Sequence, residues 1–287
     1  MTRSFIKYSF VAAAIATVFS SCEKEPMPTT PTVGFRTPLS YALLTDSTAY
    51  KKLFTDANGD TTVELMEGNN RYSVFKAIDA YGKKPNNSAT VLDVAVLRNM
   101  YSNTGSPFVD NFAYLNSTTD QLKNKTATTF ANAEAIRTRM ESHFTSLANA
   151  SQSVAETAAE GKAGKLGAYL VDENGIEWIQ IIQKSLIGAY QLDYIGNALL
   201  SDASLQAADN TKVVTGKKYT QLEHIWDEAY ASLTLKSVYL GASSTASSGG
   251  ESFLGTYVWE YNKDGKGKIH PAFLKGRAAI VNNDVVI

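Results

Sequence analysis

His224 and Glu228 lie four residues apart, so on a helix they share one face. Asp227 and Glu223 stand close to them in the same segment. An imidazole and a carboxylate on one face can be two ligands of a transition metal, or an acid/base pair. The alternative is structural: residues 220–223 (TQLE) form a capping box that uses Glu223, and His224 packs beside a neighbouring tryptophan.

A second pair of polar residues, Glu177 and Gln180, is three residues apart near the start of a strongly apolar segment. A carboxylate at that place is either solvated, where it favours the helix N-terminal dipole, or buried with a partner. If the two segments face each other, the predicted metal ligands are Glu177, Gln180, His224, Asp227 and Glu228.

Residues 56–67 (DANGDTTVELME) place oxygen ligands at positions one, three, five, nine and twelve of a calcium-binding loop. The sixth position is Thr61, where the sharp turn of such a loop requires glycine. The alternative is an Asn-Gly turn followed by a solvated acidic stretch. Calcium is therefore a weaker candidate than a transition metal at His224 and Glu228.

The element that must position these residues is the segment Asn174 to Leu200, which is apolar on nearly every face of a 3.6-residue helix. Such a helix is buried on all sides, and at about 1.5 Å per residue it would span a whole domain. Gln180, Lys184 and Asp193 interrupt the apolar run before the roughly 20 residues that a bilayer requires. The segment predicts the central rod of an all-α protein.

Other segments show the amphipathic spacing of helices that pack around this rod. Asn116 to Asp120 offers N-cap chemistry for a further short helix. The glycine-rich run GKAGKLG lacks the lysine and hydroxyl spacing of a phosphate loop and predicts a flexible connection. A last helix is predicted to start near Pro271 and to be barely begun where the sequence stops. The main predicted helices cover residues 68–81, 89–101, 126–150 and 220–235.

The N-terminus has the organisation of an export signal, with Arg3 and Lys7 before the apolar run SFVAAAIATVF. Ser-Ser-Cys follows, and Cys22 is the only cysteine of the sequence. This ending resembles a bacterial lipoprotein signal, in which Cys22 carries the lipid, whereas a disulfide within the chain is impossible. Residues 1–21 are thus a predicted signal peptide, residues 22–37 a proline-rich tether and residues 38–287 a helical domain.

Composition excludes one class of partner. The 27 basic and 28 acidic residues nearly cancel, so the sequence lacks the basic excess of a nucleic-acid-binding protein. The 44% of apolar residues suffices for a substantial core.

Several motifs together resemble one family. In chain order GNNRYSVFKAI, LRNMYSNTGSPF, LNSTTDQLKNKTA, the segment from GKAGKLG through the rod, HIWDEAY and LKGRAAIVNND are similar to the imelysin-like lipoproteins of domain of unknown function 4856. The resemblance implies an all-α fold of two helical bundles around a central buried helix, on an outer-membrane lipoprotein of Bacteroidetes that faces the periplasm or the cell surface. Family sequences continue past GRAAI, which implies an incomplete second bundle.

Imelysins carry a Gly-x-His-x-x-Glu motif and are linked to iron uptake. In this sequence Gly175 is retained, Glu177 stands in place of the histidine and Gln180 in place of the glutamate. The resemblance implies a lipid-anchored binding protein accessory to iron or haem acquisition. The alternatives are a metal-dependent hydrolase of the peptidase kind, or a surface protein that binds other proteins and has no small-molecule site.

Overall fold

The computed structural model of the chain describes residues 36–45, 48–237, 251–262 and 269–284. Within these ranges helices dominate, and the one sheet is a two-stranded antiparallel hairpin, so the predicted all-α class is confirmed. The predicted signal peptide, Cys22 and nearly all of the tether lie outside the described residues. The elements are three short 3₁₀ helices (Tyr41–Leu43, Asp110–Ser117, Lys123–Lys125), α1 (Tyr50–Leu53), α2 (Met66–Gly82), α3 (Lys84–Asn87), α4 (Val94–Ser102), α5 (Ala133–Ser151), β1 (Gly164–Leu166), β2 (Tyr169–Val171), α6 (Trp178–Leu186), a π-helix (Ile187–Leu199), α7 (Asp202–Ala207), α8 (Gln221–Leu233), α9 (Leu254–Asn262) and α10 (Ile269–Asn282).

The centre of the fold is the pair of helices α2 and α8, which approach each other closely at Gly68. A Cβ atom on Gly68 would lie 2.6 Å from the Cβ of Ala231 and 2.9 Å from the carbonyl oxygen of Glu228. Glycine is therefore required for this close packing. Helices α4 and α6 also pack against α2, while the π-helix and α10 pack against α8.

The predicted rod is wrong in its start, its helix type and its burial. It begins at Trp178 rather than Asn174, because the Asp172 carboxylate accepts backbone N–H groups of Asn174 and Ile176 and holds them in a turn. From Ile187 onward the rod is a π-helix.

The rod is also not buried on all sides. Ile181 is 40% and Leu192 54% exposed, whereas the polar Gln191 and Asp193 are buried. A π-helix bonds residue i to i+5, so each turn holds more residues and a 3.6-residue pattern assigns the faces of residues 187–199 incorrectly.

Helices 68–81 and 220–235 are confirmed as α2 and α8, but two others start later than predicted. Helix α4 starts at Val94 because Asp93 caps it by accepting the Ala95 N–H at 2.8 Å. Helix α5 starts at Ala133, since residues 128–129 bind the Asp193 carboxylate and Ala127 adopts a positive φ of 58°. Hydrogen bonds to polar side chains thus take the place of the first turns of both predicted helices.

Three further segments differ from expectation. The helix expected after Asp120 is only the 3₁₀ turn Lys123–Lys125, and the connection GKAGKLG contributes strand β1 of the hairpin. The last helix, α10, is 14 residues long and ends at Asn282. Among the described helices, none is long and apolar enough to cross a membrane.

Candidate functional site

Helix α8 starts with the predicted capping box. The Thr220 hydroxyl accepts the Glu223 N–H at 3.2 Å, and the Glu223 carboxylate accepts the Thr220 N–H at 2.7 Å. Glu223 has no exposure, so this carboxylate has a role in the core as well as in the cap.

Glu223 and Asp227 belong to a buried ion network, defined here as Arg36, Glu223, Asp227 and Arg277. Arg36 donates twice to Glu223 at 2.5 and 2.8 Å, and Arg277 bridges Glu223 at 2.6 Å and Asp227 at 2.9 Å. Tyr50 adds a hydroxyl donor to Asp227 at 2.8 Å. Two arginines thus compensate the desolvation of two carboxylates.

The two carboxylates respond differently to this environment. Burial would raise the pKa of Glu223, but Arg277 and Arg36 together hold that pKa below its ordinary value. Burial raises the pKa of Asp227 despite the donors Arg277 and Tyr50. Both carboxylates are occupied by structural partners, so Asp227 is not available as the predicted metal ligand.

His224 and Glu228 lie on a neighbouring face of α8 and meet Glu67 of α2. One ligand atom from each of the three residues lies within 4.8 Å of the other two. The Nδ1 atom of His224 is buried and has no hydrogen-bond partner in the described part of the chain. The imidazole stacks on Tyr219 with ring centres 4.8 Å apart, which fixes its plane. We name Glu67, His224 and Glu228 the candidate metal site.

Glu228 is oriented by donors from two other elements. Arg71 of α2 donates Nη1–H to Oε1 of Glu228, and the hydroxyl of Tyr194 on the π-helix donates to the same oxygen at 2.7 Å. Arg71 also bonds Glu67 at 3.1 Å and Asp120 at 3.4 Å through Nη2. Partners of this kind hold a ligating carboxylate in a defined orientation.

Lys125 lies on the face of the Tyr194 ring, with its ammonium nitrogen 4.8 Å from the ring centre. Burial and the nearby Arg71 guanidinium hold the pKa of Lys125 below its ordinary value, although three acidic groups oppose this. The structure therefore places a half-buried cation next to the candidate metal site. The sequence offered no signal for Glu67, Arg71 or Lys125 as one group, because they are distant in the chain.

Glu177 and Gln180 lie at the other end of α2. Gly82 at the C-terminal end of α2 contacts Ile179, whereas Gly68 near its N-terminal end contacts Glu228. Fourteen helical residues separate these contacts, a distance of about 21 Å at 1.5 Å per residue. Glu177 precedes α6 with its Oε1 buried and without a partner among the described residues, and it does not approach His224. The two segments therefore do not form one site.

The predicted calcium loop is divided between a turn and a helix. Asp56 accepts the N–H groups of Asn58 and Asp60 at 2.9 and 3.0 Å, and Lys218 pairs with Asp60. Glu67 lies in the first turn of α2 and bonds Arg71 instead. In the described structure the acidic side chains of this segment do not converge on one point.

Comparison with known proteins gives one match. No curated protein and no solved structure matches the chain. A family model described as a domain of unknown function, DUF4856, matches residues 50–286, which contain every residue of the candidate metal site and all the described helices from α1 to α10. The chain therefore belongs to the DUF4856 family.

Proposed function

We propose that this chain is a lipid-anchored, extracytoplasmic binding protein that holds a transition-metal ion, with iron as the preferred candidate, through Glu67, His224 and Glu228. The observation that carries the proposal is the convergence of three ligand atoms within 4.8 Å beside a buried, unpartnered imidazole nitrogen. An imidazole together with carboxylates suits iron or zinc better than calcium, which takes oxygen ligands only.

The site can contract onto an ion. Metal-ligand bonds of about 2.0 to 2.2 Å bring the donor atoms of one ion within about 4.4 Å of each other, inside the 4.8 Å limit that the three atoms now meet. The Glu67 side chain is 45% exposed and can move, whereas that of Glu228 is 8% exposed and held by Arg71 and Tyr194. We expect Glu67 to close the site while His224 and Glu228 stay in place.

Arg71 competes with the metal for the two carboxylates. Its guanidinium contacts Glu67, Glu228 and Asp120, so it can keep the acidic groups neutralised when no ion is bound. When an ion binds to Glu67 and Glu228, the Arg71 guanidinium can keep its ion pair with Asp120. This arrangement favours reversible uptake over permanent structural binding.

A metal-dependent hydrolase is the second candidate, because three protein ligands leave coordination positions open for water. Such an enzyme also needs a general base near that water. The nearest remaining carboxylate in the described cluster is Asp120, and it accepts hydrogen bonds from Asn70 at 2.7 Å and from Arg71. Binding without catalysis is the function that this arrangement supports better.

The extracytoplasmic location and the role in iron acquisition derive from the sequence. The lipoprotein signal ending at Cys22 and the resemblance to imelysin-like proteins support them. A protein tethered at the cell envelope and able to release its ion would suit an accessory role in uptake.

The test is metal binding by the full chain carrying Cys22→Ser, which prevents lipidation. We expect about one ferrous or zinc ion per chain, counted by mass spectrometry after dialysis. His224→Gln and Glu67→Gln should each weaken binding at least about tenfold, since even outer partners of metal ligands contribute that much.

His143→Gln is the matched control, because His143 is also half-buried and contacts an aromatic ring, that of Trp178, with ring centres 5.3 Å apart. Glu177→Gln tests the other predicted ligand position. Both variants should bind metal like the parent. Absence of metal from the parent, or full binding by His224→Gln, would refute the proposal.

A further inference from the structure

Lys125 is the charged group next to the candidate metal site that has no ionic partner among the described residues. Its nitrogen faces the Tyr194 ring, and no hydrogen bond or salt bridge joins it to a described residue. A cation on an aromatic face is stabilised by the ring quadrupole, but it keeps all three ammonium donors for a ligand.

The carboxylates around Lys125 are already engaged by other groups. Arg71 reaches Glu67, Asp120 and Glu228, and Asn70 holds the second oxygen of Asp120. Tyr194 connects the two sites directly, since its hydroxyl donates to Glu228 while its ring carries Lys125. The Lys125 ammonium therefore lies beside the candidate metal site and interacts with its carboxylates through space, but no hydrogen bond or salt bridge joins it to them among the described residues.

Charge counting indicates what would bind there. Glu67, Asp120 and Glu228 carry three negative charges, and Arg71 and Lys125 carry two positive ones, a formal charge of −1 with neutral His224. A divalent ion changes this to +1. Because uncompensated charge in a partly desolvated site is costly, the metal-loaded site favours one further negative charge.

We propose that the site binds its metal together with a small organic carboxylate, which completes the metal coordination with one oxygen and accepts a hydrogen bond from Lys125 with the other. This inference rests on the proposed metal-binding function. Three protein ligands leave coordination positions open, and a carboxylate is a good ligand for the same ions. A phosphate would bring excess negative charge and more acceptor oxygens than the single Lys125 ammonium can satisfy.

The test uses the Cys22→Ser chain loaded with cobalt(II), whose visible absorption reports changes in coordination. Addition of acetate should shift the cobalt spectrum saturably, and inorganic phosphate should bind more weakly than acetate. Lys125→Met retains the length of the side chain without its charge and should weaken acetate binding at least about tenfold, equivalent to about 1.4 kcal/mol. Its cobalt affinity should change less than threefold.

Two variants control for indirect effects. Lys125→Arg restores the positive charge and should restore acetate binding, which a merely structural role of Lys125 would not require. Lys123→Met removes a neighbouring lysine that pairs with Glu141 at 2.6 Å and should leave acetate binding unchanged. Circular dichroism of each variant establishes that it is folded.

The outcomes separate this inference from the proposed function. Cobalt binding without any response to acetate, equal acetate affinity in Lys125→Met, or tighter binding of phosphate than of acetate would each overturn the carboxylate assignment alone. A parent chain that binds no cobalt, iron or zinc would overturn both proposals.

Discussion

At the residue scale, helix α8 carries two i,i+4 pairs that face different partners. Glu223 and Asp227 point to Arg277, whereas His224 and Glu228, one residue further on, meet α2. A shift of one residue rotates the side-chain direction by about 100°, since 3.6 residues make a turn. The first pair therefore belongs to the buried ion network, and the second pair belongs to the candidate metal site.

The buried ion network predicts a strong effect at Arg277. Arg277→Met should lower the free energy of unfolding by about 3 to 5 kcal/mol, because it removes the ionic partner of Asp227 and one of the two arginines that pair with Glu223 in the core. Urea denaturation measures the change. Lys275→Met, on the same helix but exposed, is the control and should stay within about 0.5 kcal/mol. Similar stabilities of the two variants would show that the network contributes little.

At the element scale, α2 supplies both the close contact with α8 and one ligand of the candidate metal site. Gly68 and Glu67 are adjacent in its first turn, so the helix-helix distance and the ligand position are coupled. The π-helix contributes Tyr194 to the same site and buries Asp193 against residues 128–129. Three elements from separate parts of the chain thus define one cluster.

This coupling predicts that Gly68→Ala weakens both folding and metal binding. The added Cβ would overlap Ala231 and the Glu228 carbonyl, so α2 must shift, at a cost of about 1 to 3 kcal/mol. Because Glu67 shifts with α2, metal affinity should fall as well, measured by calorimetric titration beside thermal unfolding.

Gly196→Ala is the control for this prediction. Gly196 is exposed in the π-helix, has no atom within 4 Å of a built Cβ and has no positive φ, so alanine should be neutral or stabilise by up to about 1 kcal/mol. Normal metal affinity in Gly68→Ala would argue against coupling between the helix contact and the site.

At the scale of the whole molecule, several buried carboxylates link folding to pH. Burial raises the pKa of Asp193, but hydroxyl, backbone and amide donors together hold it below its ordinary value of 3.8. Arg277 and Arg36 similarly lower the pKa of Glu223 from 4.5. A lowered pKa contributes stability above the unfolded value, and this contribution is lost as pH falls through the folded value. Asp227, with its raised pKa, contributes in the opposite direction.

We therefore expect Asp193→Asn to be less stable than the parent above about pH 4, the region where the Asp193 carboxylate is charged in both states. The difference should shrink as pH falls through the folded pKa of Asp193, because protonation removes the same charge from the parent. Urea unfolding between pH 2 and 7 follows both proteins. A difference that does not change with pH would contradict the assigned linkage.

The proposed lipid anchor of the molecule depends on Cys22. We expect the native chain to sediment with membranes and to incorporate radiolabelled palmitate, since each buried CH₂ group of an acyl chain contributes about 0.8 kcal/mol to membrane binding. Cys22→Ser should appear in the soluble fraction without label. Membrane association that persists in Cys22→Ser would exclude the lipid anchor as its cause.

Much of the fold was predictable from local pattern. The all-α class, helices α2 and α8 and the capping box follow from spacing that a helix imposes on nearby residues. His224 and Glu228 were candidate ligands for the same reason, as i,i+4 neighbours. The late start of α5 and the turn before α6 were missed because Asp193 and Asp172 capture backbone or hydroxyl groups that a helical pattern does not reveal.

The sequence by itself thus determined the helical class, the family and two residues of the candidate metal site. Only the tertiary structure decided that Glu67 is the third member, that Asp227 belongs to the ion network and that the segments carrying Glu177 and Glu228 contact opposite ends of α2. Helical periodicity specifies which residues share a face, but not which face meets which partner. That choice depends on contacts between segments far apart in the chain, such as the approach of α2 to α8 at Gly68.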